Sequence, residues 1–371
     1  MAVPSSSCQE FNQIDKMKKV NLTLLFCLHL VIGFAQNLTL WQKQKTQPYP
    51  GKQDDICFVD TNKGWYCNGQ GKIYHTGNGG NDWSLIFEKP GTFFRCIGFI
   101  DSLRGFAGNV GTDYFPNVTD TIPVYQTIDG GKSWQPVNYS GPYVKGLCAL
   151  DIVKEQFINQ GSIGYRYHIF GVGRVGSPAN ILVSHDDGKT FTSRSMNGQC
   201  KMLFDIKMFN KKEGFVCAAT DEDITRANAL IMQTVDGGKT WQKRYQSARP
   251  FETCWKINFP TRKVGYATIQ SYNPDTTIKL KRIVKTTDGG ATWHEFDLCN
   301  DPAAMEFGIG FINALHGFVG TLNTGYETTN GGQTWNKVNF GRAVNKIRVY
   351  HFNKMPVLYA IGMSVYTLKV P

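Results

Sequence analysis

The sequence of 371 residues contains 39 glycines, 13% aromatic residues and only 19% charged residues, and its formal net charge is +11. This composition lacks the Glu, Lys, Ala and Leu bias of helical proteins and is typical of a turn-rich, all-β protein. The positive charge permits an anionic partner, but no run of lysines and arginines exceeds three residues, which argues against a nucleic-acid-binding protein.

Residues 17–35 have the pattern of a signal peptide. Lys18 and Lys19 precede an apolar segment over residues 22–32, and Gly33 and Ala35 supply the small residues before a cut after Ala35. The apolar segment is shorter than the ~20 residues that span a bilayer, although an uncleaved anchor is the alternative. We expect residues 1–16 to be an upstream extension and residues 36–371 to be the folded domain. The mature protein would be secreted or periplasmic, or held in the cell envelope, with no transmembrane span.

Six copies of one short motif, T-x-D-G-G-x-T-W or a close variant, follow along the chain. They begin at Thr76, Thr127, Ser184, Thr234, Thr286 and Thr328, so their spacings are 51, 57, 50, 52 and 42 residues. The Asp-Gly and Asn-Gly pairs supply the positive-φ residues that a tight hairpin turn requires. A period near 50 residues with paired glycines and an aromatic residue is typical of β-propeller blades. Each turn would join the third and fourth strands of a blade.

A second motif places an apolar residue two positions before Asp or Asn and six positions before a Gly-aromatic pair. Clear copies begin at Phe58, Phe99, Met208 and Phe311, a copy with Thr261 in place of the acid begins at Phe259, and weaker copies begin at Ala149 and His351. We interpret each copy as the end of an innermost strand followed by the start of the second strand. The count predicts an all-β fold, a seven-bladed β-propeller of four-stranded antiparallel blades.

The two ends of the chain complement each other. The seventh unit stops where its turn between third and fourth strands should come, and residues 41–43 (Trp-Gln-Lys) match residues 241–243, which follow the fourth such turn. We therefore expect the N-terminal strand to supply the outermost strand of the last blade. Such pairing would leave no open sheet edge.

The six turns resemble the Asp-box, or BNR, repeat, whose pattern is S/T-x-D-x-G-x-T-W. With the second motif, residues 38–371 are similar to the propeller family of photosystem II stability and assembly factors. Asp boxes also occur in sialidases, xyloglucanases and sortilin-type receptors, so the resemblance indicates a fold group rather than an activity. In those relatives the box braces the outer hairpin. The resemblance therefore implies a structural role for Asn78, Trp83, Asp129, Trp134, Asp186, Phe191, Asp236, Trp241, Asp288, Trp293, Asn330 and Trp335.

No complete catalytic set follows from the sequence. A sialidase needs three arginines around the substrate carboxylate and a tyrosine with acidic partners. The nearest match to its first arginine motif is the segment 94–97, Phe-Arg-Cys-Ile, which follows the first box and lacks the Ile-Pro pair. Neither a zinc-type Cys/His spacing nor a G-x-S-x-G motif is present. We expect no catalytic residue, no metal and no cofactor, while enzymatic activity stays open.

Eight cysteines remain when residues 1–35 are set aside: Cys57, Cys67, Cys96, Cys148, Cys200, Cys217, Cys254 and Cys299. An even number permits disulfides in an exported protein, and small buried thiols within strands are the alternative. The sequence leaves the pairing open.

Functional sites are expected where the innermost strands surround the mouth of the central channel. The positions three and four before the apolar residue of the second motif supply the candidates Asp54, Asp55, Arg95, Lys145, Asp205, Trp255, Lys256 and Arg348. One interpretation is a ring that binds a ligand or partner, and the other is a set of ion pairs that screen each other in a wet channel. Asp54 and Asp55 would form an acid/base pair only if burial raised one pKa.

Repeats without a catalytic set favour an exported, non-enzymatic scaffold that binds a protein or a surface polymer, as the resemblance to assembly-factor propellers also implies. A glycan-binding or glycan-hydrolysing, sialidase-like Asp-box protein is the alternative, because aromatic side chains can stack on sugars. We expect a monomer with no nucleic-acid partner.

Overall fold

Twenty-nine β-strands and no helix make up the secondary structure of residues 41–47, 49 and 51–370, which the computed structural model describes. The strands form seven sheets, of which six have four strands and one has five. This confirms the predicted all-β class and the count of seven. The predicted extension and signal peptide, residues 1–16 and 17–35, lie outside the described residues. Within the described part of the chain, no helix is long and apolar enough to cross a membrane.

The first three sheets follow one another along the chain. Sheet one contains β2 (Gln53–Phe58), β3 (Gly64–Asn68), β4 (Lys72–Thr76) and β5 (Ser84–Glu88). Sheet two contains β6 (Phe94–Phe99), β7 (Gly105–Asn109), β8 (Val124–Thr127) and β9 (Gln135–Pro136). Sheet three contains β10 (Tyr139–Ser140), β11 (Ala149–Asn159), β12 (Ser162–Gly173), β13 (Asn180–Ser184) and β14 (Phe191–Ser195).

The remaining four sheets complete the set, and the last includes the first strand of the chain. Sheet four contains β15 (Met202–Met208), β16 (Gly214–Ala219), β17 (Ala229–Thr234) and β18 (Gln242–Gln246). Sheet five contains β19 (Glu252–Asn258), β20 (Gly265–Ser271), β21 (Leu280–Thr286) and β22 (His294–Asn300). Sheet six contains β23 (Glu306–Phe311), β24 (Gly317–Thr321), β25 (Gly325–Thr328) and β26 (Asn336–Val338). Sheet seven contains β27 (Lys346–Phe352), β28 (Met355–Ile361), β29 (Val365–Lys369) and β1 (Gln42–Lys43).

The inner strands of a sheet are buried, whereas the outermost strand faces solvent. In sheet one every residue of β2 and β3 is buried, while β5 is exposed or half-buried. A strand that is covered on both faces needs a nearly continuous apolar sequence, and an outer strand tolerates polar residues. The innermost strands of sheets three to seven line one polar cavity of about 290 Å³, which marks the central channel.

The second motif joins each sheet to the next. Gly64 begins β3 beneath the Phe58 ring, where a Cβ atom would lie only 2.5 Å from the ring, so a side chain is excluded there. The aromatic residue that follows, Trp65, stacks on Phe99 of sheet two with ring centroids 3.7 Å apart. Tyr266 and Phe311 repeat the stack between sheets five and six at 3.6 Å. The motif therefore indicates contacts between neighbouring sheets as well as a turn within each sheet.

The six D-G-G turns, which begin at Thr76, Thr127, Ser184, Thr234, Thr286 and Thr328, share one hydrogen-bond pattern. In each turn the first hydroxyl donates to the Asp or Asn two positions later at 2.7–3.0 Å. The same hydroxyl accepts the N–H of the glycine four positions later at 2.8–3.0 Å. Each turn lies between the third and fourth strands of its sheet, as predicted. Because neighbouring strands are antiparallel, these turns lie at the same end as those between first and second strands. We call this end of the sheets the turn end. We call the opposite end, at which the innermost strands begin, the mouth.

The N-terminal strand β1 pairs with β29 of sheet seven. Gln42 lies opposite Thr367 and Lys43 opposite Tyr366 in an antiparallel ladder. Just before β1, Trp41 stacks on Phe340 with ring centroids 4.7 Å apart. The first strand of the chain therefore occupies the outermost position of the last sheet.

Sheet three departs from the predicted four-stranded antiparallel pattern. Its fifth strand, β10, pairs with β14 in parallel, with Tyr139 opposite Phe191. The second motif also predicts that Ala149 ends an innermost strand. Instead, Ala149 begins β11, which has 11 residues and pairs along its whole length with β12. This prediction was wrong because the hairpin of sheet three is extended, which moves its turn to Gln160–Gly161 and separates it from the motif.

All eight cysteines outside the first 35 residues are free thiols, and all but Cys299 are buried. The Cys254 thiol lies against the Cys217 sulfur at 2.8 Å, between sheets five and four. Both sulfurs sit within strands of the core, where a thiol packs as a small apolar side chain.

Candidate functional site

The adjacent acids Asp54 and Asp55 bind arginines from two different neighbouring sheets. Asp54 forms an ion pair with Arg95 of sheet two. Asp55 accepts two hydrogen bonds from Arg348 Nη2 of sheet seven, at 2.9 and 3.0 Å. The pairing of β2 with β3 has a β-bulge between Gln53 and Asp55, and both acids are buried. One strand therefore links three sheets through charge-assisted hydrogen bonds.

Trp255 lies at the centre of a group of cations near the mouth. Lys52 Nζ, Arg95 Cζ and Lys256 Nζ lie 5.6, 5.4 and 5.4 Å from the centroid of its ring. The indole Nε1 and Lys52 Nζ both donate to Asn345 Oδ1, at 3.2 and 3.3 Å. A tryptophan ring attracts cations through its quadrupole, so this arrangement holds positive charge close to the channel axis. We call Lys52, Asp54, Arg95, Trp255 and Lys256 the mouth cluster.

The mouth cluster carries more positive than negative charge. Burial, followed by repulsion from Arg95, lowers the pKa of Lys52 to about 7. Burial also lowers the pKa of Lys256 to about 8, although Asp205 opposes the shift. Such shifts are typical of ammonium groups with too little compensating negative charge. An added anion would therefore stabilise the charged form of both lysines.

A second polar group lies further along the channel. It contains the predicted residue Asp205 and shares Lys256 with the mouth cluster. Asp205 accepts from Lys346 Nζ at 2.7 Å and from the backbone N–H of Ile257 at 3.1 Å. Burial pushes the pKa of Asp205 upward, but Lys346 and Lys256 outweigh it and hold the pKa below its ordinary value. Lys256 Nζ donates to the Phe204 carbonyl at 3.1 Å. The channel is thus crossed by ion pairs rather than by free acids.

Lys145 does not contribute to the mouth cluster. It precedes β11 by four residues, because the extended hairpin of sheet three moves the strand register, and its ammonium pairs with Asp113. Asp113 belongs to the loop over residues 110–123, between β7 and β8. Arg174 fastens this loop by donating to the Val110 carbonyl at 3.3 Å and to the Thr112 carbonyl at 2.5 Å. Lys145 therefore helps to position a loop at the mouth.

Two cavities open beside the mouth cluster. One, of about 410 Å³, is lined mainly by apolar and aromatic side chains, with an acidic edge. Its lining includes Tyr114, Met202, Phe204, Ile224, Glu222 and Tyr272. The other, of about 400 Å³, lies beside Lys52 between Phe93 and Phe115. Apolar pockets next to a few convergent charges are the usual form of a binding site.

Asp54 does not offer an accessible acid. Burial raises the pKa of Asp54, and Arg95 and Lys52 oppose the rise. A raised pKa is the property that an acid/base candidate at this position requires. The Asp54 side chain is nevertheless closed to solvent and paired with Arg95. A general acid has to lie within hydrogen-bond reach of a substrate, and this carboxyl group has no such path.

The residues of the D-G-G turns bind within their own turns at the opposite end of the sheets. Asp236, for example, accepts from the Thr240 hydroxyl at 2.6 Å and from the Thr240 N–H at 2.9 Å. The turns also connect sheets, because Trp65 Nε1 of sheet one donates to the Gly130 carbonyl of sheet two at 2.9 Å. The turn aspartates and their aromatic residues lie away from the mouth cluster.

Sequence reasoning missed Lys52, Asn345 and Lys346. All three lie at or just before the first residue of an innermost strand, outside the two motif positions that were used. A polar or basic residue at the start of an innermost strand was the sequence feature that could have identified them. Bulges in β2, β15 and β19 change which residues face the channel, so a fixed spacing could not locate them all.

Solved structures similar to this chain are β-propellers. YCF48 bound to D1 peptide is 14% identical with a TM-score of 0.60, over 91% of this chain and 99% of that chain. YCF48 from Cyanidioschyzon merolae is 14% identical with a TM-score of 0.59, over 89% and 99% of the two chains. The WD40 propeller domain of Doa1 is 10% identical with a TM-score of 0.58, over 90% and 97%.

No protein-family model and no curated protein matches the sequence. At 10–14% identity, the similarity to solved structures shows the fold, which confirms the predicted β-propeller. A shared propeller fold does not by itself imply a shared partner or activity.

Proposed function

We propose that this chain is a non-enzymatic β-propeller that binds an extended segment of a protein partner across its mouth. The observation that carries the proposal is the group of three cations around Trp255, with Asp54 as the only carboxylate of the mouth cluster. A solved propeller of similar fold, YCF48, is bound to a D1 peptide, which supports a peptide as the class of ligand.

The charge balance favours a segment with carboxylate groups. Lys52 forms no salt bridge with any described residue, and its Nζ is 3.3 Å from the neutral Asn345 Oδ1. A carboxylate beside it would raise the pKa of Lys52 from about 7 towards its ordinary value. Proton uptake would therefore accompany binding near neutral pH.

The cavities beside the mouth cluster favour a peptide over a small anion. The cavity of about 410 Å³ places Tyr114, Phe204 and Tyr272 next to the cations, so an apolar side chain of the partner can be buried there. Burial of a large apolar side chain stabilises a complex by roughly 1.5–3 kcal/mol. Alternating acidic and apolar residues would fit both parts of the mouth.

We also infer that the pairing of β1 with β29 closes the ring of seven blades. The ladder between Gln42 and Thr367, and the stack of Trp41 on Phe340, support this inference. Export of the chain is a further part of the proposal, and it rests on the signal-peptide pattern of residues 17–35.

Binding of acidic peptides by the Lys52→Met variant tests the proposed function. Fluorescence anisotropy would measure a panel of labelled 15-residue peptides, with matched acidic, neutral and basic members. We expect the native protein to prefer acidic peptides with apolar residues and to bind them less tightly as salt increases. Loss of one charge-assisted contact should weaken binding by about ten-fold. Lys52 forms no salt bridge among the described residues, and Asp54, the carboxylate that its charge also stabilises, keeps its ion pair with Arg95 in this variant.

Lys337→Met, which removes an exposed charge on β26 far from the mouth, is the matched control and should change affinity less than two-fold. Equal losses in both variants would show a general charge effect and contradict a mouth site. The glycan alternative is tested with fluorogenic sialosides and a polysaccharide panel, because Tyr114 is half exposed at the mouth and can stack on a sugar. Turnover that is lost on substitution of Asp54, Asp55 or Asp205 would overturn the non-enzymatic proposal.

A further inference from the structure

The hairpin of sheet three extends beyond the other blades at the turn end. Strands β11 and β12 have 11 and 12 residues, whereas no other strand in the described part of the chain has more than seven. Ladder pairing with β13 begins at Ile169, so the part of β12 before it has only β11 as a ladder partner. At ~3.3 Å per residue, the segment from Lys154 to Asn159 extends about 17 Å. The result is a free two-stranded ribbon.

The outer part of this ribbon is uncharged and apolar on both faces. Residues 156–165 contain no charged side chain. Ile158 and Ile163 lie opposite each other on one face and are 75% and 62% exposed. Behind the two isoleucines, Phe157 and Tyr165 are partly exposed on opposite faces of the ribbon, and Phe157 lies opposite Gly164 in the ladder. Exposed apolar residues clustered at one protruding tip are unusual for a soluble surface and mark an interaction site.

Cations lie directly behind the apolar tip. Lys154 Nζ is 3.7 Å from the centroid of the Tyr165 ring, and Arg166 Cζ is 5.3 Å from that of Phe157. The one acid of the free ribbon, Glu155, is already paired with Lys211 of sheet four and with His168. Behind its polar turn of residues 159–162, the ribbon thus presents apolar side chains, then aromatic rings and then positive charge.

We propose that the β11–β12 ribbon docks this protein on the surface of an anionic lipid bilayer. The order of its side chains matches the order of layers in a membrane interface, where apolar groups reach the acyl region, aromatic rings lie at the headgroups and cations bind anionic lipid. This proposal is independent of the proposed peptide site, which lies at the opposite end of the blades.

A bilayer fits the ribbon better than a protein groove does. A groove would cover one face of a two-stranded ribbon, whereas the exposed apolar residues occur on both faces, and lipid surrounds an inserted tip. A tip of ten residues is also smaller than the roughly 20–30 residues that each partner contributes to a stable protein interface. Lipid binding requires only apolar area and charge attraction, without a complementary shape.

The backbone limits how deeply the ribbon enters. Both edges of its outer part carry unpaired N–H and C=O groups, and these groups cannot be buried in the hydrocarbon region. The turn residues 159–162 (Asn-Gln-Gly-Ser) are also polar, which limits insertion further. The apolar side chains therefore reach only the boundary between the headgroups and the acyl chains, and the mouth faces away from the bilayer.

Vesicle sedimentation with the full chain tests the docking surface. The probes are vesicles of phosphatidylcholine alone and of phosphatidylcholine with 30 mol% phosphatidylglycerol. We expect binding to the anionic vesicles, and about a ten-fold loss in the double variant Ile158→Ser/Ile163→Ser. The variant Lys154→Gln/Arg166→Gln should bind both vesicle types equally and weakly, because two charges near the surface are lost. In Phe157→Trp, the tryptophan emission should shift to shorter wavelength only with anionic vesicles.

The double variant Ile278→Ser/Leu322→Ser is the control, because it removes two exposed apolar residues from loops between second and third strands, at the end opposite the turn end. It should bind as the native protein does, and all variants should keep the native melting temperature, since the tip lies outside the core. Absence of native binding to anionic vesicles, or an equal loss in the control, would overturn the proposal. Self-association of the native chain that is lost in Ile158→Ser/Ile163→Ser, without vesicle binding, would assign the ribbon to a protein interface instead.

Discussion

Glu306, the first residue of β23, is a fully buried acid with incomplete hydrogen bonding. Its Oε1 accepts the N–H of Arg282 at 3.3 Å, and its Oε2 has no partner among the described residues. Burial raises its pKa to about 8, and Lys281 opposes the rise only in part. The carboxyl group is therefore protonated in the folded protein at neutral pH, unlike the ion-paired acids of the channel.

Glu306→Gln should stabilise the protein at alkaline pH. The unfolded chain loses this proton near pH 4.5, while the folded protein keeps it to about pH 8. Between these values the unfolded state binds fewer protons, so the stability of the native protein falls as pH rises. Glutamine imitates the protonated form, and the variant should gain about 1–3 kcal/mol at pH 8.5 and nothing at pH 4.5. Urea unfolding across this range measures the difference.

The exposed acid Glu222 provides the comparison for this experiment. In Glu222→Gln the stability should stay within about 0.5 kcal/mol of that of the native protein, because this side chain lies at the surface. A flat pH profile for Glu306→Gln would show that Glu306 is ionised in the folded protein.

At the scale of the element, the D-G-G turn is a closed set of hydrogen bonds. In the fifth copy, Thr286 Oγ1 donates to Asp288 at 2.8 Å, and Thr292 Oγ1 donates to the same carboxylate at 2.6 Å. The Thr292 hydroxyl is the main reason that the pKa of Asp288 lies far below its ordinary value. The sixth copy keeps the pattern with Asn330, whose Nδ2 donates to Thr334 at 2.7 Å. Either side chain therefore completes the turn.

Replacement of Asp288 distinguishes a structural turn from a charged site. Asp288→Ala removes the acceptor and should cost about 1–2 kcal/mol at pH 7. Asp288→Asn should cost less than half as much, because Asn330 performs the same role naturally. The advantage of Asp over Asn is fully present above the unfolded pKa of about 3.9, should shrink as pH falls below that value, and is lost only as pH passes the lowered pKa of the folded protein. Urea unfolding of both variants at pH 7 and pH 3 gives these values. An Asn variant as unstable as the Ala variant would point to a need for the charge itself.

At the scale of the whole molecule, the first and last strands of the chain meet in one sheet. The ladder between β1 and β29 covers an edge that would otherwise expose unpaired backbone groups. Phe58 of sheet one also stacks on Tyr359 of sheet seven with ring centroids 3.9 Å apart. Sheets one and seven are thus joined by aromatic packing of β2 on β28 and by the chain itself, which runs from β1 in sheet seven to β2 in sheet one.

Removal of the N-terminal strand should destabilise the entire domain. A chain that begins at residue 46 lacks β1 and Trp41, and we expect a loss of at least about 3 kcal/mol relative to a chain that begins at residue 36, because a large aromatic contact is removed. The exposed edge of β29 should also promote aggregation. Thermal unfolding followed by circular dichroism compares the two chains. Identical melting temperatures would refute a role for β1 in closing the ring.

The local repeat determined much of the architecture. Positive-φ glycines such as Gly130 and Gly131 specify a hairpin turn wherever they occur, and a glycine beneath an aromatic ring specifies a close approach of strands. These requirements depend on neighbouring residues in the chain. The sequence by itself therefore determined the all-β class, the number of sheets, the positions of the turns and the end of the blades at which to look for a site.

Tertiary structure alone decided how the site is composed. Asp54, Arg95 and Trp255 meet from three different sheets, and Lys52 joins them from outside the motif. Bulges in the innermost strands, which a fixed spacing cannot anticipate, select the side chains that face the channel. The extended β11–β12 ribbon also broke the motif register and placed Lys145 on a loop. Charge balance and burial in the channel arise from contacts distant in sequence, and so only the folded chain could reveal them.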